Sequence, residues 1–501
     1  MKSERNLVLV VAAADREKAR RALAAPPDGI DMLELRIDRL APEERTAPVV
    51  ADLVRAAALP VIATCRPIDE SGFHDGPDAD RWALLSAALG AGARLVDIEW
   101  SRIRRDHGLA ARWPADRLLV SHHAGADAGH AIEDELLAMT RVEAAGVKLV
   151  ATPASFTESM RLVDLTRHLV RSGRRVTCFS AGAAALAGRV LGYLAGAWLT
   201  YLVPDDETGL PPSIPHVSEL ITMYRLPAQG QSVKLLGLAG HPLGHSLSPR
   251  MQNGVIRVLG ERYLMLPLES PSIAEVVDYV RHNDIRGLAV TRPHKETIVP
   301  LLDGLDATAR SAGAVNTVVR DHDRLVGWNT DLLAMRTILR EWSAGPDDRA
   351  VVLGAGGAAR AVVAALAERQ VPVTILNRDT KRARLLADKF AGVTVAGKPD
   401  ALDAVTGTIF IQCTPLGAAG ETVRLPGWLG AGGRLLDLAY RDGMTPLESA
   451  AHAAGHRVVG GHDFLARQGA AQFALWTGRL VNADLFRDAL GTNLVTREPA
   501  C

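Results

Sequence analysis

Lys148 lies inside the apolar run "GVKLVATP", residues 146–153, which glycine and proline bound in the manner of a buried strand. Removing an ammonium from water costs several kcal/mol unless it is paired or loses its proton. Desolvation lowers a lysine pKa, and a partly neutral amine is a nucleophile able to form a Schiff base with a ketone. His122 and His123 end the preceding apolar run, "RLLVSH" and onward, and a histidine on an adjacent strand can move protons. Glu34, Arg36 and Asp38 alternate in "ELRID", and Arg66 follows "ATC".

A second constellation lies in "AVVLGAGGAARAVVAALAERQVPVTILNR", which reads strand, glycine turn, helix, strand. Gly354, Gly356 and Ala359 fit G-x-G-x-x-G/A, with Ala355, Gly357 and Ala358 completing the turn. Such a turn lets backbone approach a pyrophosphate, and the helix N-terminus supplies free N–H groups. Asn377 and Arg378 end the next strand, with Lys381 and Arg382 after them. Basic groups there suit a ribose 2′-phosphate, so NADP is expected over NAD, with Asp379 weighing the other way.

Elements that could position the first set are plain in the pattern. Eight β-like runs alternate with amphipathic helical segments from residue 6 to about 226. That spacing predicts βαβ units and a parallel sheet, either a closed (β/α)8 barrel or an open doubly wound sheet. In a barrel the strand ends build the catalytic face, where the polar residues named above fall. With period two, Lys148, Val150 and Thr152 share one face.

The 501 residues suggest two to four domains. Lys+Arg and Asp+Glu both number 57, which gives no support for a general polyanion binder. Cys65, Cys178, Cys413 and Cys501 form no CxxC pair and no zinc-type cluster, so reduced thiols and no metal are expected. The longest apolar stretch, Leu191 to Val203, is shorter than the roughly 20 residues of a membrane span. The expectation is a cytoplasmic enzyme whose partners are small molecules, neither nucleic acid nor membrane. Its oligomeric state is left open, a monomer included.

The segments "ELRID", "TCRPIDE", "SHH" and "KLVATP" occur in the order found in type I 3-dehydroquinate dehydratases, which residues 6 to about 226 resemble. The resemblance implies that Lys148 forms an imine with the 3-keto group of dehydroquinate and that His123 is the general base. Glu34, Arg36 and Arg66 would bind substrate, and Glu70 matches an acidic residue near the catalytic histidine. His122 would only flank the site. Four positions depart from the pattern. Ala185 stands where the family carries a carboxylate-binding arginine, Gly209 and Ser213 replace a serine and a glutamine, and a serine near the first strand is missing. Arg189, one helical turn after Ala185, is a substitute that the sequence alone does not establish.

Residues 233 to about 490 combine "GHPLGHSLSP", "LAVTRPHKE", "GAVNT", "GWNTD", "YRDGMTPL" and "GGHDFLARQGAAQF". Together these resemble shikimate dehydrogenase. The resemblance implies that Ser246 and Ser248 bind a carboxylate. Thr291, Asn316 and Gln468 would hold ring hydroxyls with Tyr440 nearby, and Lys295 and Asp331 would form the catalytic pair. Gly461 joins the glycine turn, Asn377, Arg378 and Arg382 on the NADP(H) side. Ala289, His294, Gln252 and Gln412 replace commoner residues, none of them catalytic.

The expected organisation is a barrel over 1–228, a substrate-binding domain over 229–336, a Rossmann NADP-binding domain over 337–460 and C-terminal helices over 461–501 that return to the substrate lobe. The joint expectation is dehydration of 3-dehydroquinate followed by NADPH-dependent reduction to shikimate, two consecutive steps of aromatic amino-acid biosynthesis. The alternatives are a shikimate or quinate dehydrogenase with an impaired barrel, and a non-catalytic quinate-pathway regulator.

Overall fold

The computed structural model describes residues 5–125, 131–182, 184–211, 213–229, 233–244 and 246–491. Cys501, His245 and residues 230–232 of the expected linker lie outside the described residues. The chain divides into two compact units between Val233 and Lys234.

All eight apolar runs of the first unit become parallel strands: β1 (Asn6–Val11), β2 (Met32–Arg36), β3 (Val61–Thr64), β4 (Leu95–Glu99), β5 (Leu118–Ala124), β6 (Gly146–Ala151), β7 (Val176–Ser180) and β8 (Leu199–Leu202). Their spatial order is β7-β6-β5-β4-β3-β2-β1-β8, so the chain's first strand pairs with its last. The seam between β7 and β8 is held by Trp198 N donating to Val176 O at 3.0 Å and by Thr177. The Thr177 hydroxyl donates to Leu199 O at 3.0 Å and accepts from Leu199 N at 2.8 Å. The sheet is a (β/α)8 barrel, and the open-sheet alternative is excluded by these contacts. Val8, Val10, Met32, Ile62, Leu95, Leu119, Phe179, Leu199 and Tyr201 fill its interior.

The second unit contains two six-stranded sheets. The first joins β9 (Lys234–Gly240), β10 (Tyr263–Glu269), β11 (Ile285–Val290), β12 (Gly304–Leu305), β13 (Thr317–Asp321) and β14 (Arg324–Trp328) in the order β10-β9-β11-β13-β14-β12, with β13 antiparallel to its neighbours. The second joins β15 (Ala350–Leu353), β16 (Val373–Leu376), β17 (Val393–Gly397), β18 (Ile409–Gln412), β19 (Arg434–Asp437) and β20 (Arg457–Val459). Its order, β17-β16-β15-β18-β19-β20, is all parallel and reverses direction beside β15, the doubly wound pattern that binds dinucleotides at the reversal.

Helix Gly357–Glu368 follows β15 and buries Ala361, Val362, Ala364 and Ala365 completely. Small side chains let it lie close between the sheet and helix Thr330–Glu341, which contributes Ala334, Met335 and Ile338 to the same core. Helix Gly461–Thr477 comes after the second sheet but bonds to the first. Gln472 donates to Asn316 O at 3.1 Å, and the Trp476 indole donates to Val318 O at 3.0 Å. No helix among the described residues is long and apolar enough to cross a membrane.

Candidate active sites

Parallel pairing of Arg36 with Thr64 and of Thr64 with Asp97 sets these three side chains on one face of the barrel. Ser121, Lys148 and Thr177 are aligned in the same way across β5, β6 and β7. Lys148 is 3% exposed, and its ammonium is paired rather than alone. Nζ lies 2.7 Å from Asp97 Oδ2, 3.5 Å from Glu34 Oε1 and 4.7 Å from the centre of the Tyr201 ring. Arg66 approaches the same Asp97 oxygen at 3.6 Å, and the Thr64 hydroxyl donates to Glu34 at 3.0 Å. Burial alone would raise the Asp97 carboxyl, but Lys148 and Arg66 hold it below its ordinary range.

His123 sits on β5 next to this cluster. Its pKa is pushed well below the ordinary 6.5, first by burial and then by the cations Arg66, Lys148 and Arg36. A neutral imidazole is the form that can accept a proton. His122 turns away to Glu135, Nε2 lying 2.7 Å from the carboxylate. Arg36 is engaged in both directions by Asp38, at 2.9 and 2.8 Å. Glu70 ends the short turn Ile68–Glu70, and no hydrogen bond or ion pair joins it to His123 among the described residues. Asp97 Oδ1, His123 Nδ1, Arg66 Nε and Tyr201 Oη are buried without a protein hydrogen-bond partner, so the barrel interior retains capacity for a polar ligand.

The sequence reading passed over Asp97 and Tyr201. Asp97 had the same signal as Lys148, an ionisable side chain inside the apolar run "RLVDIEW". Glu99, two residues on, is buried against Arg81, whose Nε also donates to Cys65 O at 2.7 Å. Ala185 is buried at the start of helix Ala185–Ala195. The carbonyls of Gly209 and Ser213 accept from Arg39 and Arg189, and the Gly209 N–H donates to Glu207 at 2.6 Å.

In the second unit, Lys295 Nζ lies 2.6 Å from Asp331 Oδ2. The other Asp331 oxygen accepts from Asn316 Nδ2 at 2.8 Å, and Asn316 Oδ1 accepts from Thr330 N at 2.7 Å. Gln468 Oε1 is 3.4 Å from Asn316 Nδ2 and 3.3 Å from the Thr330 hydroxyl. Asn329 caps helix Thr330–Glu341 through its side chain, which fixes Asp331 in the first turn. A single network therefore joins Lys295, Asp331, Asn316 and Gln468. Ser248 opens helix Ser248–Val258, and the Tyr440 hydroxyl meets the backbone of Leu247, between Ser246 and Ser248. Thr291 is half-buried beside β9, its N–H donating to Ala239 O at 2.8 Å.

The glycine turn approaches this network directly. Gly354 has φ of 116°, where a side chain would be strained and a Cβ would lie 3.2 Å from Thr414. A Cβ on Gly357 would come within 2.9 Å of Lys295 Cβ, so glycine there lets Lys295 and the turn touch. Gly356 precedes helix Gly357–Glu368 with no side-chain cap, which leaves its first N–H groups open to an anion. Ala355, Gly356, Asn377, Arg378, Asp379 and Arg382 line one recess. Asp379 uses its carboxylate to cap helix Thr380–Ala387, accepting from Arg382 N at 3.1 Å. The recess therefore fits a dinucleotide carrying an extra phosphate: open helix N–H groups at one end, guanidinium groups at the other.

Glu296, next to Lys295, pairs with Arg360 at 2.7 Å and with Arg382. Neither Glu296 nor Arg360 was singled out from sequence, because an ion pair between distant segments leaves no local pattern. Gly461 N donates to Glu448 at 3.1 Å, within the capping box of helix Pro446–Ala453. Among the replaced positions, Gln252 donates to Gly469 O at 3.0 Å and His294 Nε2 lies 2.8 Å from Ser270 O. Gln412 bonds to Leu416 O at 2.7 Å and accepts from Thr414 N at 2.6 Å, bracing the loop after β18.

Comparison with known families agrees with this division. The type I 3-dehydroquinase family matches residues 7–231. The shikimate dehydrogenase substrate binding domain matches 238–318, shikimate / quinate 5-dehydrogenase matches 339–407, and the shikimate 5′-dehydrogenase C-terminal domain matches 461–490. The NADP(+) shikimate dehydrogenase of Oleidesulfovibrio alaskensis is 40% identical over 268 residues, covering 52% of this chain and 93% of its own. The chloroplastic bifunctional 3-dehydroquinate dehydratase/shikimate dehydrogenase of Arabidopsis thaliana is 25% identical over 483 residues, 91% of this chain and 79% of its own. A solved shikimate dehydrogenase from Thermus thermophilus, in complex with NADP(H) and shikimate, is 33% identical at a TM-score of 0.46, covering 51% of this chain and 98% of that one.

Proposed function

Because the chain belongs to the shikimate dehydrogenase family through its second unit and has a type I 3-dehydroquinase unit before it, we propose a bifunctional enzyme. The barrel dehydrates 3-dehydroquinate to 3-dehydroshikimate, and the second unit reduces that ketone to shikimate with NADPH. The observation that carries the first half is the buried Lys148–Asp97 pair beside a neutral His123. The linked Lys295, Asp331, Asn316 and Gln468 carry the second.

In the barrel, Lys148 passes a proton to its surroundings and adds to the C3 ketone, and water leaves to give a protonated imine. That cation draws electrons from C2, and His123 takes the C2 proton. The C1 hydroxyl then departs with this proton as water, and hydrolysis of the imine releases product and Lys148. Glu34 and Arg66 border the reacting amine through Asp97 and Thr64, so they are placed to hold substrate hydroxyls.

In the second unit, the glycine turn and the open end of helix Gly357–Glu368 would hold the pyrophosphate of the dinucleotide, and Arg378 and Arg382 would hold its 2′-phosphate. Bound NADPH supplies a hydride. Lys295 gives a proton to the substrate oxygen, and Asp331 fixes the direction of that N–H. Asn316 and Gln468 orient ring hydroxyls, and Ser246 and Ser248 receive the carboxylate beside Tyr440. These two serines favour shikimate over quinate, and the ratio of kcat/KM for the two polyols measures that preference.

The test is to assay both reactions in the full chain. Lys148→Ala should remove dehydration and spare reduction of dehydroshikimate, and Lys295→Ala should do the reverse. Loss of both activities from either change would contradict two independent sites.

A further inference from the structure

Every other buried cation of the barrel interior has a carboxylate. Arg36 faces Asp38, Arg66 and Lys148 face Asp97, and Arg81 faces Glu99. Arg189, only 3% exposed, has no such partner among the described residues. Its Nε donates to Ser213 O at 3.0 Å, and its guanidinium lies 4.3 Å over the centre of the Phe179 ring. One carbonyl and one aromatic face do not offset the cost of burying a full charge. Burial accordingly pulls the guanidinium down to about 10, away from its ordinary value.

The place of Arg189 gives this unmatched charge a use. Phe179 lies two residues beyond Thr177, the β7 neighbour of Lys148, towards the rim where the strands end. Its ring meets Tyr201 edge-on at 5.9 Å, and Tyr201 lies against Lys148. Phe179 and Tyr201 thus form one aromatic lining that runs from the nucleophile to the guanidinium. Ser213, which holds Arg189, belongs to the loop after β8 on the same rim. Ala185, at the start of the same helix, offers no polar group.

We propose that Arg189 is the residue that receives the substrate carboxylate in the barrel, taking the part that Ala185 cannot play. The proposal rests on the dehydratase reading above. A substrate carboxylate on the guanidinium would supply the counter-charge that no described residue does. Phe179 would keep the guanidinium plane fixed for two parallel N–H···O bonds. Arg189 is a binding residue and takes no part in proton transfer.

The test uses the full chain with 3-dehydroquinate and its carboxamide analogue. Wild-type protein should favour the carboxylate in kcat/KM by roughly tenfold to a hundredfold, the size of one charged hydrogen-bonded contact. In Arg189→Gln this preference should vanish, through a rise in KM for the carboxylate with kcat little changed. An unchanged preference overturns the proposal, and so does an equal loss on both compounds, which marks a structural role. Should Arg189→Gln not fold, Arg189→Lys decides: it should raise KM for the carboxylate, and an unaltered KM overturns the proposal. Failure of the underlying reading looks different, since wild-type protein would then turn over neither compound and the proposal would fall with it.

Discussion

Lys148 and Lys295 are each paired with an aspartate at hydrogen-bond distance, yet their surroundings differ. The Lys295 side chain is 18% exposed and faces one carboxylate, fixed by Asn316. The Lys148 side chain is 4% exposed and faces two carboxylates and an aromatic ring. The contrast follows from the work expected of each. A proton donor needs a fixed direction and access to a bound oxygen. A nucleophile that bonds covalently to its substrate needs a closed pocket and an acceptor in reach for the proton it gives up. The second unit can therefore bind substrate through residues within one hydrogen-bond network. In the barrel Asp97 is closest to the amine, and on the reading proposed above the grip on substrate is shared by Glu34, Arg66 and the wall around them.

The largest effects should come from exchanging the roles of these lysines. Lys148→Ala removes the imine route, so dehydratase turnover should fall below detection in a coupled absorbance assay, with reductase kcat unchanged. Lys295→Ala removes a proton donor and should lower reductase kcat by about 10²- to 10⁴-fold, with dehydration intact. Next comes Asp97→Asn, which removes the nearer carboxylate of buried Lys148 and the one that Arg66 approaches, leaving Glu34 alone beside two cations. The barrel should lose about 3–5 kcal/mol of stability, read from its denaturant midpoint, whereas a matched change at an exposed site should do little.

A smaller effect is expected at Arg382. Arg382→Ala should raise KM for NADPH roughly tenfold to a hundredfold and leave KM for NADH nearly unchanged. An equal change for both cofactors would remove the 2′-phosphate assignment. The smallest effect is a flat pH profile. His123 is held well below 6.5, so the base form persists and dehydratase kcat/KM should stay level as pH falls through that value. A limb centred at 6.5 would contradict a buried neutral base. Stability follows the opposite course: unfolded His123 gains a proton near pH 6.5 while the folded group resists it. The contribution of this residue is therefore lost as pH falls from there towards the folded value.

Periodicity made the fold legible. The eight apolar runs and the strand–glycine turn–helix unit each have a local pattern, and the structure turns all of them into the elements that pattern predicts. The local sequence also pointed to Lys148, since a charge in an apolar strand is visible in a few residues, whereas Lys295 stood out only through the resemblance of the segments around it. Partnerships across the sheet were not legible. Asp97 is 51 residues from Lys148 and reaches it only because β4, β5 and β6 lie side by side. Glu296 reaches Arg360 and Arg382 from another sheet, and Arg189 depends on rings contributed by β7 and β8. Such contacts are consequences of closure and carry no spacing of their own.

Borohydride reduction in the presence of 3-dehydroquinate, followed by peptide mass mapping, tests the central claim most directly. The account predicts a stable adduct on the peptide containing Lys148 and none on the peptide containing Lys295. An unmodified Lys148 in protein that still consumes dehydroquinate would contradict the imine assignment.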